Sequence, residues 1–136
     1  MRKLISLLLI LTAVSLMIGC TGSKTIEASL NKQFELAIEQ TASIASEDLE
    51  IKFMDVTADS RCPKDVQCPW AGEVKCLLKI TANGSTQEVE LTQPGSSDTG
   101  ETVGNYTYRF NVEPYPESTK EIKKDDYRLV MTVSKP

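Results

Sequence analysis

Cysteine is the residue type here with the widest chemical range, and the chain has four: Cys20, Cys62, Cys68 and Cys76. Histidine is absent. That removes Ser-His-Asp and Cys-His nucleophile systems, His-ligated zinc or iron and a histidine pH switch. Cys62 and Cys68 sit in the segment Asp59–Glu73 together with Arg61, Pro63, Lys64, Pro69 and the sole tryptophan, Trp70. Their spacing is not Cys-x-x-Cys, and no βαβ pattern surrounds it. Arg61 and Lys64 would still depress a neighbouring thiol, so an exported thiol redox protein or sensor stands as an alternative. Three cysteines with no fourth soft ligand do not make a metal set. Asp98 and Glu101 lack calcium-loop spacing. Glu35, Glu39, Glu88 and Glu90 alternate along strand-like runs, which reads as a solvated face rather than a glycosidase pair. With no glycine-rich phosphate loop either, no cofactor and no metal are expected.

Cys20 has a different context. Arg2 and Lys3 precede the uncharged run Leu4–Ile18, which ends Leu16-Met17-Ile18-Gly19-Cys20. Fifteen helical residues fall short of the ~30 Å hydrocarbon core, whereas a secretory signal needs only about 7–15 apolar residues. The run resembles a lipoprotein signal. The resemblance implies cleavage after residue 19, diacylation of the Cys20 sulfur and a lipid-anchored protein of the cell membrane or outer envelope. Two acyl chains hold a protein stably on a bilayer. Removing residues 1–19 takes Arg2 and Lys3 and moves the net charge from −4 to −6. An acidic chain without a basic stripe is no nucleic-acid binder. Residues 20–31, small and polar after Cys20, read as a tether, and 32–136 as one domain.

Exported thiols meet an oxidising compartment, so Cys62 and Cys68 are expected to bond. The closed ring is worth about 2–2.5 kcal/mol in the chain-entropy model. Pro63–Val66 fits a single helical turn, and Gly72 lets the chain turn into the next strand. Two readings of this loop compete. In one it is a stapled crossover, with Trp70 capping the core edge and Arg61 paired to Asp59 or Glu73. In the other it is a presented recognition loop, with Arg61, Lys64 and Trp70 as contacts, since Trp and Arg are typical hot-spot residues and a rigid loop binds at lower ordering cost. A protease-inhibitor-like module is one form of the second reading. Cys76 falls on an inward strand face and reads as a buried free thiol.

The same stretch resembles a motif of small exported prokaryotic lipoproteins: Asp-Ser-Arg-Cys-Pro, a second Cys, then Trp-Ala-Gly ahead of a strand. Asp59–Pro63, Cys68 and Trp70–Gly72 match it. The resemblance extends in outline over most of the mature chain. It implies a fold and an exported address, but no activity, and Cys76 is not part of it.

The elements that must position these residues are strands. Period-two alternation recurs six times: around Phe34–Ile38, Leu49–Phe53, Val74–Ile80, Val89–Leu91, Tyr106–Val112 and Tyr127–Val133. The phase slips at Phe53-Met54, which predicts a β-bulge. Asn83-Gly84 between the third and fourth runs predicts a type I′ hairpin. Thr92–Gly104 reads as a long loop, and Glu113–Asp126 as a crossover between sheets. The pattern predicts an all-β fold: a single antiparallel β-sandwich of the Ig-like or Greek-key type with about six or seven strands, or else a small β-barrel. The expected function is a non-enzymatic binding or structural module, held at the membrane through lipidated Cys20, with an envelope protein as a possible partner.

Overall fold

A computed structural model describes residues 24–136. The expected signal peptide and Cys20 lie outside the described residues. Nine strands follow one another: β1 (Thr25–Glu27), β2 (Gln33–Ala37), β3 (Thr41–Ile44), β4 (Leu49–Asp59), β5 (Glu73–Ala82), β6 (Ser85–Pro94), β7 (Thr99–Val103), β8 (Tyr106–Glu113) and β9 (Arg128–Ser134). They form two sheets, ordered β1-β3-β4-β5-β6 and β2-β9-β8-β7. The fold is a β-sandwich, and the sheets do not close into a barrel.

Alternation explains why these segments pair and which way they face. Leu49, Ile51 and Phe53 of β4 and Val74, Cys76, Leu78 and Ile80 of β5 turn inward. They meet Leu36, Tyr108, Phe110, Val112, Leu129, Met131 and Val133 of the second sheet, all essentially without solvent contact. Burial of this apolar surface is the main driving force for the fold. The intervening residues face water, as a half-wet antiparallel sheet requires. The β4–β5 register shifts between Phe53 and Asp55, where the phase slip predicts a bulge, and again between Val56 and Ala58. Asn83 and Gly84 take φ values of 49° and 76°. Both are left-handed, as a type I′ turn demands, and β5 and β6 pair around them.

Three strands were not legible as alternating runs. β1 lies within the segment expected to be a tether and pairs with β3, the one parallel pairing in the first sheet. β7 takes up part of the expected Thr92–Gly104 loop and pairs with β8. The connection Glu113–Asp126 does not cross between sheets, because β8 and β9 are hydrogen-bonded neighbours. It stays at one end of the sandwich and packs beside the cysteine loop. The Lys64 amide donates to the Pro116 carbonyl at 3.0 Å, and the Ser118 amide to Asp65 Oδ1 at 2.8 Å.

Candidate functional site

The loop from Ser60 to Gly72 joins β4 to β5 at the end of the sandwich where β8 finishes and β9 begins. Its closure is covalent, by the Cys62–Cys68 disulfide, with the Cα atoms 6.0 Å apart. The Val66 amide donates to the Pro63 carbonyl at 3.1 Å, closing the single turn that the sequence predicts. At the base the ladder continues past the strands. The Ser60 amide donates to the Glu73 carbonyl at 2.8 Å and the Cys62 amide to the Ala71 carbonyl at 2.9 Å. Gly72 adopts φ +70°, and a Cβ there would fall 1.8 Å from the Ser60 carbonyl oxygen. Only glycine fits such a close approach in the left-handed region.

Arg61 is the post around which the loop is built. It is 4% exposed. Its Nε donates to Asp59 Oδ1 at 2.9 Å and its Nη2 to Asp59 Oδ2 at 2.7 Å, a bidentate fork of the strong kind. Nη1 donates to the Val112 carbonyl at 2.6 Å, and Nη2 also reaches the Pro114 carbonyl at 3.1 Å. The guanidinium lies 5.1 Å from the centre of the Tyr115 ring, within cation–π range. The Tyr127 hydroxyl completes the cluster by donating to Asp59 Oδ2 at 3.0 Å. Burial works to raise the Asp59 pKa, but the hydrogen bonds and charge of Arg61, its amide and the Tyr127 hydroxyl outweigh that, and the net shift is downward. Burial first, then the Asp59 charge and hydrogen bond, push Tyr127 up to about 12. The cluster ties the β4 end, the β8 end and the β9 start into one unit.

Of the three residues read as presented contacts, Arg61 is therefore spent inside. Lys64 is exposed, but its ammonium pairs with Glu117, which also bridges to Lys120 at 3.1 Å. Trp70 is 75% exposed, so it does not cap the core edge. Val66, at 46%, is the other large hydrophobic side chain exposed among the described residues, and it lies on the same loop. With Pro63, Pro69 and the half-buried Tyr115 they border a shallow open depression of about 450 Å³. A wider groove of about 540 Å³ crosses the outer face of the second sheet. Its charged lining is internally matched: Arg109 pairs with Asp98 at 3.2 Å, and Glu113 accepts from the Asn111 amide.

Cys76 is a free thiol with no solvent contact. Burial first, and then the charges of Glu101 and Glu90, push it up to about 12. A thiol in that state carries almost no nucleophilic thiolate. Among the described residues no cluster of three or more Cys, Asp or Glu is placed to hold a metal ion. No helix among them is long and apolar enough to cross a membrane.

Of Asp59 and Glu73, the two partners the sequence offers Arg61, the structure selects Asp59; Tyr127 as the third member and Val66 as the companion of Trp70 were not foreseen. In sequence Tyr127 reads as the first inward residue of its strand, because its distant partner leaves no local spacing signal. Val66, a lone apolar residue flanked by Asp65 and Gln67, carries no period. Comparison with protein-family models, curated proteins and solved structures found no match to the chain.

Proposed function

We propose that this protein is a lipid-anchored component of the cell envelope, a binding module whose disulfide-stapled loop presents Trp70 and Val66. The observation that carries the reading is how the loop segment is used. Asp59, Ser60, Arg61, Cys62, Cys68, Ala71 and Gly72 are all consumed in shaping or holding the loop. Trp70 is left in solvent at 75% exposure. A tryptophan held outward on a covalently closed, hydrogen-bonded base is costly to solubility and lies outside the core. It suits a contact residue, since a large aromatic on a rigid support gives much buried area for little ordering cost. The anchoring half of the proposal is supported by the lipoprotein-like signal ending at Cys20. The thiol-redox alternative draws nothing from Cys76, which is deeply buried, and rests on the Cys62–Cys68 pair alone. A protease-inhibitor-like role would use the same loop surface.

Two measurements on the protein made in its own cells test the two halves. Mass spectrometry of the mature N-terminal peptide should find Cys20 diacylated, and a C20S variant should be released from the membrane fraction. A W70A/V66S variant should keep the wild-type melting temperature while losing the adducts, to aminolipid or to protein, that a short bifunctional cross-linker gives with wild type. An unmodified Cys20 removes the anchor. A W70A/V66S variant that unfolds makes these residues structural and removes the binding module.

A further inference from the structure

We infer that the surface met by Trp70 and Val66 is the lipid bilayer that holds the Cys20 acyl chains, so that the stapled loop is a second, shallow membrane contact. This rests on the lipidation of Cys20 proposed above and names the partner of the same loop.

The path of the chain carries the argument. β1 runs parallel to β3, with Thr25 opposite Thr41, and Thr41 in turn faces Lys52 of β4. Traced backward from Glu27 to Thr25, the chain therefore heads in the direction in which β4 climbs from Lys52 to Asp59, toward the stapled loop. The Lys24 carbonyl extends this pairing by accepting the Thr41 amide at 2.8 Å. Cys20 is five residues before Thr25, and an extended chain spans at most ~3.6 Å per residue, so the anchor stays within roughly 18 Å of this strand. From the level of Lys52 to Asp59 is about 23 Å at ~3.3 Å per residue, and the loop extends further. A membrane that holds Cys20 is thus confined close to the edge strand. A domain leaning with its loop end down brings Trp70 to the same plane.

The chemistry of the loop fits an interface rather than water. Tryptophan favours the headgroup region, with an apolar body and an N–H that can stay wet. Val66 adds a purely apolar neighbour. The cost of taking backbone into a drier layer is reduced because the Cys62, Lys64 and Val66 amides are already hydrogen-bonded within the protein. The nearest charges are also matched, Lys64 and Lys120 to Glu117 and Asp65 to Ser118. The mature chain is acidic, so attraction to anionic lipid is not the driving force. The contact is apolar, and high salt should leave it intact. Tethering raises the effective concentration of the loop at the surface, which lets two modest side chains suffice.

Trp70 is the sole tryptophan, so its fluorescence reports this contact alone. The test reconstitutes the mature, acylated protein into phosphatidylcholine vesicles, with and without brominated acyl chains, at low and high salt. The expected result is a blue shift relative to the soluble C20S protein, loss of acrylamide quenching, and quenching by bromines placed shallowly, all unchanged by salt. If Cys20 proves unacylated, the anchoring proposal and this inference fall together. If Cys20 is acylated and Trp70 emission stays that of the soluble protein, the bilayer contact is overturned while the anchor stands. Cross-linking of position 70 to a protein in cells, with unshifted emission in vesicles, assigns the loop to a protein partner instead and overturns the inference.

Discussion

Replacing Arg61 by methionine tests the architecture of the loop. The substitution keeps much of the aliphatic volume and removes the guanidinium, leaving Asp59 with a side chain about one-tenth exposed and no cation. It also strips the Val112 carbonyl of its 2.6 Å donor and the Pro114 carbonyl of its 3.1 Å donor. Breaking a buried ion pair by removing one partner typically costs about 3–5 kcal/mol, against a total stability of about 5–15 kcal/mol for a domain. For a stability near the middle of that range, about 10 kcal/mol, R61M should therefore lose roughly a third to a half of the urea midpoint at pH 7.

The pH dependence supplies the sign. In the wild type the folded-state pKa of Asp59 is depressed below its ordinary value of 3.8. Its contribution is present above that value and is lost as pH falls through the folded pKa. Without Arg61, burial dominates, the folded pKa rises above the unfolded one, and the contribution inverts. Unfolding of R61M followed in urea from pH 7 down to pH 4 should show the gap to wild type narrowing as Asp59 takes a proton. D59N should rescue part of the loss in the double variant. A cost below about 1 kcal/mol at pH 7, or a gap that stays constant with pH, would refute the view that this pair organises the loop.

Other outcomes follow from the same geometry. G72A must bring a Cβ within 1.8 Å of the Ser60 carbonyl in a left-handed backbone. It should destabilise the domain by more than the roughly 1–2 kcal/mol of the conformation alone, read by thermal unfolding. W70A, at an exposed position, should shift stability by no more than about 0.5 kcal/mol. C62A/C68A should cost about 2–2.5 kcal/mol and make the loop sensitive to protease while the sheets remain folded. Cys76 should resist alkylation in the native state and react only on unfolding, because its thiol is buried and raised to about 12. Labelling at native conditions would contradict that placement.

The sheets were legible where one face is wet. β5, β8 and β9, and β4 as far as Phe53, alternate because their outer residues face solvent and their inner ones the core. β1 and β3 are short, three and four residues, with small polar residues such as Thr25, Thr41 and Ser43. Their pairing depends on a neighbouring edge, and no local pattern records it. β7 contains Gly100 and threonines, and it is a strand because β8 offers it a partner. The loop divided in the same way. The disulfide and the Asp59–Arg61 pair lie close in sequence and could be anticipated. Tyr127, 68 residues from Asp59, and the carbonyls of Val112 and Pro114 could not, because the topology alone brings β8 and β9 to that end. The exposure of Trp70 was likewise undecidable from residue type, since a tryptophan beside a disulfide suits a core edge as well as an interface.

Site-specific photo-cross-linking in living cells addresses the contact role of the loop most directly. A photoreactive amino acid placed at Trp70, with Glu88 on the solvated face of β6 as the reference position, is irradiated in the intact envelope. Presentation of the loop predicts discrete adducts, to lipid or to protein, from position 70 and none from position 88. Equal labelling at the two positions, or none at 70 in a protein shown to be folded and exported, would contradict it.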